Sequence, residues 1–441
     1  MSLILFKNAR LLDPSQSLDQ IGDLTIEDGV ILSIEPASSS NASSSNTASA
    51  SGKTIENIVD CTGLALMPGL IDMQVYTGEP GDEHRETLAT ASLAAAQGGV
   101  TTMIVMPNTR PVIDDAALVD FISRRARDTA VVRIHPMAAI TKGCDSDQLT
   151  EFGLLMEAGA VAFSNGDKAV MNALTMRRAM SYAANFEALI VHHPMDEDLA
   201  RAGVMHEGEL SMRLGLSGIP AAAETVILDR DLRLVELTGA RYHLSQISCS
   251  DSVSALRLAR SRGLQVTSAV SANHLMLNEN DVENYRSFAK LNPPLRGETD
   301  RMALVDGLAD GTIDVVVSGH NPQDADAKRQ PFDQAAYGSI GIETLLTSLI
   351  TLHHAEQLDL LNLLATVTQR PAEILGLNSG TLQPGRPADL ALVDLGLPWV
   401  VDADFLASKS KNAALDGRRV QGAVIASYVG GKCIFAREDI D

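Results

Sequence analysis

The chain has 441 residues, 45% of them hydrophobic, with 56 acidic against 35 basic side chains and a net charge of −21. That length suits one barrel of roughly 250 residues plus a second module. So acidic a chain gains nothing from a phosphate backbone, which argues against nucleic-acid binding.

The first residues, MSLILFKNARLLDP, turn polar too soon for a signal peptide. Residues 3–12 and 21–35 alternate or run apolar around the turn-like DPSQS and EDG, as short antiparallel strands do. Residues 37–51 hold only Ala, Ser, Asn and Thr, too little apolar surface to offset ordering entropy, so a flexible loop is expected there. From residue 64 short apolar runs alternate with helical stretches. The strand candidates are 64–76, 100–106, 130–137, 160–163, 188–193, 241–248, 264–270 and 314–320. Helical patterns fall between them, for instance 117–128 and 254–263, the latter closed by Gly263. This alternation predicts an α/β fold, a parallel (β/α)8 TIM barrel over 64–377. Helices are expected around 341–354 and 358–376. The pattern then returns to strands at 387–394 and 420–435. Residues 1–63 and 378–441 are therefore expected to form one small β-sandwich, since termini often meet in a common module. No apolar run reaches the ~18 residues of a membrane helix. Cys61, Cys144, Cys249 and Cys433 lie at neither zinc nor disulfide-framework spacing. A reducing cytoplasm is the expected setting, with no membrane partner.

In such a barrel the chemistry sits at the C-terminal ends of the strands. In order, those ends carry Gln74 and Tyr76, Asn108, Asn165, His193, Gln246, His274, and finally Gly319, His320 and Gln323. Residues two apart on a strand face the same way, so Gln74 and Tyr76 share a face. His192, one residue off His193, should point away from the interior. His320 is expected to be a hydrogen-bonded structural histidine. Asp167 and Lys168 read as a solvated loop pair.

Several segments together carry a resemblance. PGLIDMQVYTGEP (68–80), EPGDEHRETLATASLAAAQGGVTTMIVMPNTRPVID (79–114) and ITKG (140–143) are similar to signature segments of the dihydroorotases, which are cyclic amidohydrolases. LNPPLRGETDR (291–301), GSIGIET (338–344) and GTLQPGRPADL (380–390) extend the resemblance over nearly the whole chain. In that family the first barrel strand ends in His-x-His and an arginine follows. Imidazoles and carboxylates at the strand ends hold zinc, which turns water into hydroxide near neutral pH.

Carried over residue by residue, the resemblance implies that most ligands are lost. Gln74 and Tyr76 stand at the His-x-His positions and Gly78 at the arginine position. Asn165 stands at the bridging acid, Gln246 at the strand-six histidine, and Gly319 and Gln323 in the turn that carries the strand-eight aspartate. Only His193 matches a ligand position. Asn108, Asn292, Tyr337 and Gly338 match substrate-pocket positions. The expectation is a catalytically inactive homologue with no catalytic residues and no bound zinc. The resemblance further implies a non-catalytic assembly partner of the aspartate carbamoyltransferase catalytic chain, in pyrimidine biosynthesis. The alternatives are an active dihydroorotase with a rearranged metal site, and a scaffold for some other partner.

Overall fold

The computed structural model describes residues 3–36, 57–356 and 358–437. The segment 37–51, read from the sequence as a loop, lies outside them. An eight-stranded sheet draws on both ends of the chain. Its order is Lys432–Ala436, Arg419–Val429, Leu390–Val400, Ala65–Pro68, Leu3–Asp13, Leu18–Glu27 and Val30–Pro36, with Asn57–Asp60 also on Leu3–Asp13. Phe6, Leu11, Leu24, Leu66, Leu390 and Tyr428 form its core, with the Phe6 and Tyr428 rings edge-to-face at 5.0 Å.

The sequence reads 64–76 as one strand, but the chain divides it. Ala65–Pro68 pairs antiparallel with Leu390–Val393 in the outer sheet, whereas Leu70–Val75 opens the barrel. Gly69 is the joint. A Cβ there would lie 2.2 Å from the Thr101 side chain, so only glycine lets the two strands approach this closely.

The barrel continues through Val100–Val105, Arg133–Pro136, Leu189–His192, Arg241–Leu244, Val266–Ser271 and Val315–Val317, all paired in parallel. The fourth position, expected as a strand over 160–163, is reduced to Phe163, which bridges Ala138 on one side and Ile190 on the other. Inside, Met73, Ile104, Met137, Val191, Ala269 and Val317 fill the lumen. The opposite strand faces, including Val100, Met103, Ile190 and Leu244, pack under the helices. Those helices start on side-chain caps that satisfy their first free N–H groups: Thr87 for Leu88–Gln97, Asp115 for Ala116–Thr129 and Asn172 for Ala173–Ala184.

The ring closes where the first strand meets the eighth. Val75 bridges His320, and the Tyr76 N–H donates to the His320 carbonyl at 2.9 Å. One Asp72 oxygen accepts from the backbone N–H groups of Gln74 and Ser318, both at 3.2 Å. The other oxygen is buried without a partner. Burial pushes the Asp72 carboxyl up to about 6, against the pull of these hydrogen bonds.

The segment 401–418, between two strands of the outer sheet, returns to the barrel mouth. There Ser408 donates to Glu86, Asn412 to the Gly338 carbonyl at 3.1 Å, and the Ala414 N–H to Ser339 at 2.8 Å.

Because the folded Asp72 carboxyl titrates above its unfolded value, the folded state binds more protons than the unfolded state between about pH 4 and 6. Stability contributed by this group therefore falls as pH rises through that window. Asp72→Asn should flatten the stability–pH slope there, measured by urea unfolding at several pH values. A slope unchanged from wild type would refute the assignment.

Candidate active site at the barrel mouth

Short strands that end flush with the barrel rim bring their C-terminal residues onto one ring. Gln74 and Tyr76 stand side by side on the first strand, as the two-residue period requires, and the Gln74 amide donates to the Tyr76 hydroxyl at 3.3 Å. Gln74 Oε1 is buried without a partner. Burial pushes the Tyr76 hydroxyl well up, so it stays a neutral donor.

Gln74, Tyr76, Gln246, Asn292, Gly319, Tyr337 and Gly338 line one cavity, as the sequence grouping expects. Asp167, Ser271, Asn273, His274 and Asn321 line it too. Its free volume is about 30 Å³, room for about two waters.

Asn108, Asn165, His193, His320 and Gln323, also expected at the strand ends, are not among its lining residues. Asn165 is used up as a staple: its oxygen accepts from the N–H groups of Ile140 (3.1 Å) and Thr141 (3.2 Å), and its amide donates to the Thr141 hydroxyl (2.9 Å). Asn108 sits at the rim and donates to Asp167 at 2.9 Å. A charged loop residue by sequence, Asp167 is exposed, and it also lines the cavity at the mouth. Its position beside the Asn165 turn was the available signal.

The histidines separate by their partners. His193 is buried, and its Nε2 has no partner. Burial holds its pKa below the usual value, while Asp167 and the Asn292 side chain pull the other way. His192 belongs to a sealed network facing a helix. Its Nδ1 lies 2.7 Å from Asp231 and 3.2 Å from the Tyr242 hydroxyl, and its Nε2 accepts from the Val170 N–H at 2.8 Å. His274 lies at the mouth with both nitrogens engaged, by the Ser271 hydroxyl at 2.7 Å and the Pro293 carbonyl at 3.0 Å. Burial takes it down to about 4. His320 accepts from the Gly341 N–H at 3.3 Å, and burial lowers it to about 3, which makes it a neutral structural group.

A dihydroorotase of Ehrlichia chaffeensis is 40% identical over 438 residues, 99% of this chain and 96% of its own length. The chain belongs to the dihydroorotase family. The profile of the Dihydro-orotase-like family matches residues 63–252. A dihydroorotase of Desulforapulum autotrophicum is also 40% identical, over 99% of this chain and all of its own. Among solved structures, an L-hydantoinase (dihydropyrimidinase) from Arthrobacter aurescens superposes with a TM-score of 0.86. It covers 100% of this chain and 97% of its own, and at 24% identity it speaks for the fold, a TIM barrel with a β-sandwich.

These relatives correct two expectations. The first is that the chain is not an enzyme: full-length relatives at 40% identity are dihydroorotases and point to one. Counting lost ligands alone leaves Asp167 out of the site, as an exposed loop carboxylate. The fold instead places that carboxylate at the mouth, within electrostatic reach of His193. The second is the absence of a metal cofactor, since dihydroorotases and hydantoinases are metal-dependent amidohydrolases and the family points to zinc.

The side chains present do not fit a family-type zinc centre. Among the described residues no three His, Cys, Asp or Glu side chains converge. The unpartnered atoms near the mouth include two imidazole nitrogens, His193 Nε2 and His320 Nε2, and one amide oxygen, Gln74 Oε1, which is still short of a zinc set. At Gly319 a Cβ would lie 3.1 Å from both Gln246 Nε2 and Ser271 Cβ, so the Gln246 amide crowds the place of an acidic side chain.

Gly319 also has φ +62, in the left-handed region. Gly319→Asp should lower stability by roughly 1–2 kcal/mol through that backbone cost alone. Denaturant midpoints of the two proteins check it, and an unchanged midpoint would show that the site accepts a side chain without strain.

Proposed function

We propose that the chain is a cyclic amidohydrolase of the dihydroorotase type with a rearranged mouth, acting on a ring amide such as that of dihydroorotate. The observation that carries this reading is the 40% identity to dihydroorotases over 99% of the chain. The gathering of Gln74, Gln246, Asn292, Asp167, Tyr337 and Gly338 on one cavity supports it.

Ring opening forms a C–O bond from water to the ring carbonyl and breaks the C–N bond. One water proton must leave the attacking oxygen, and one must reach the departing nitrogen. Asp167 is the carboxylate at the cavity, held by the Asn108 amide, and suits the role of proton acceptor. The amides of Gln246 and Asn292 can donate to ring carbonyls and accept from ring N–H groups. His193, neutral and with Nε2 free, is the other proton-carrying group. A positioned base contributes about 10²–10⁴-fold, so slow turnover is expected.

Dihydroorotate hydrolysis should exceed the uncatalysed rate and fall about 10²-fold or more in Asp167→Asn. Zinc content should be measured on the same samples, with and without added zinc. No turnover above background under either condition would overturn the proposal.

A second proposal concerns assembly with the aspartate carbamoyltransferase catalytic chain. The resemblance supplies the partner. An apolar groove of about 450 Å³ beside Trp399, Val400, Phe405 and Leu406, with Phe405 83% exposed, offers a contact surface. Co-expressed chains should co-elute in size-exclusion chromatography at micromolar concentration. Separate elution, with full transcarbamoylase activity in the catalytic chain alone, would exclude the assembly.

A further inference from the structure

Lys290 and Lys328 are buried ammonium groups, 3% and 2% exposed. Among the described residues neither appears in an ion pair with a carboxylate. Both instead donate to backbone carbonyls. Lys328 Nζ donates to Ser287 at 2.7 Å and Ala336 at 2.8 Å. Lys290 Nζ donates to Phe332 at 2.8 Å and Asp333 at 3.0 Å, and lies 4.7 Å from the centre of the Tyr337 ring. Two reciprocal bonds complete the arrangement, Ser287 Oγ to the Lys328 carbonyl at 2.6 Å and the Gly338 N–H to the Lys290 carbonyl at 3.0 Å.

Burying a charge without a counterion is expensive, and the expense shows: burial pulls Lys328 down to about 7, with Lys290 adding to it. A methionine would fill the same space without that cost. What an apolar side chain cannot do is hold two carbonyls at once. All four carbonyls gripped by the ammonium groups belong either to 324–338 or to the 287–290 segment beneath it.

That segment ends in Tyr337 and Gly338, which line the mouth cavity, and it starts just after Asn321 and Gln323. The cavity holds about 30 Å³, too little for a six-membered ring. A ring therefore enters only after part of the lining moves. The first barrel strand and its neighbours are fixed by sheet pairing, whereas 324–338 lies outside the sheets; besides the lysine contacts it is held by the Tyr337 hydroxyl donating to the Gly203 carbonyl at 2.8 Å, the Asn412 amide donating to the Gly338 carbonyl at 3.1 Å, and the burial of Phe332 in an apolar cluster.

We propose that Lys290 and Lys328 are positioning residues that clamp the 324–338 segment, setting Tyr337 and Gly338 over the mouth and governing when the cavity opens to a ring. This deepens the amidohydrolase reading, on which the ring ligand rests. The clamp itself is a property of the ligand-free chain.

The test is hydrogen exchange of the ligand-free full chain, read by mass spectrometry, in wild type, Lys290→Met, Lys328→Met and Lys290→Arg. Exchange in 324–338 should rise at least tenfold in both methionine variants while the barrel strands keep wild-type protection. Lys290→Arg, which restores a cation with several donors over the Tyr337 ring, should recover most of the protection. Wild-type exchange in both methionine variants, or faster exchange spread evenly over the barrel, would overturn the clamp. If Lys328→Met does not fold, the Lys290 pair decides alone. Dihydroorotate turnover on the same proteins separates the two readings. With a clamp but no turnover the amidohydrolase reading fails by itself, and turnover with unchanged exchange removes only the clamp. Where both hold, Lys290→Met should raise KM about tenfold with kcat within twofold.

Discussion

The mouth depends on the seam where the first barrel strand meets the eighth. A closed ring of parallel strands has no free edge, and this is the point at which residues 246 positions apart in the chain must register. Asp72 joins Gln74 to Ser318 through its backbone contacts, and Val75 bridges His320. Gln74 and Tyr76 on one side and Gly319 and Asn321 on the other are thereby set around the same cavity. The carboxyl that does this is fully buried, and burial raises its pKa against the pull of these contacts.

Polar groups buried near the mouth largely serve to hold loops. Glu343 accepts from the Ala407 and Ser408 N–H groups, and Glu86 from the Ser408 hydroxyl, so two carboxylates seat the segment that returns from the outer sheet. Burial raises both, Glu343 to about 7. The two buried lysines do the same for 324–338 with opposite charge. Backbone groups that would otherwise go unpaired account for this investment in charge, because a loop buried without partners is costlier still. The cavity that results is small and amide-rich.

Much of the fold could be read from residue order. Short apolar runs at 100–106 and 264–270, with helical periods between them, report locally on which segments are buried, and neither needs a distant partner to be recognised. The fourth strand could not be read this way, because Phe163 is paired only by single bridges supplied by Ala138 and Ile190. For the site, identity and location diverged. Gln74, Tyr76, Gln246 and Gly319 line one cavity because strand ends are fixed by the barrel. Asn165 and Asp167 lie two residues apart: the one expected at a ligand position is a staple, and the other, exposed as its sequence suggests, also lines the cavity. A turn can send either side chain inward, and the choice rests on whether Ile140 and Thr141 offer N–H groups for the amide to take.

The sequence by itself determined the barrel, the outer sheet built from both chain ends, and the chemical types around the strand ends. Those follow from periodicity and from side-chain identity, which are local. The tertiary structure alone decided which polar groups are spent on neighbours and which remain free. His192 and His274 have their ring nitrogens engaged, whereas His193 keeps Nε2 open. It also decided that Lys290 and Lys328 lie inside the protein rather than in water. Hydrogen bonding is a matter of distances between residues far apart in the chain, and no pattern along the sequence contains those distances.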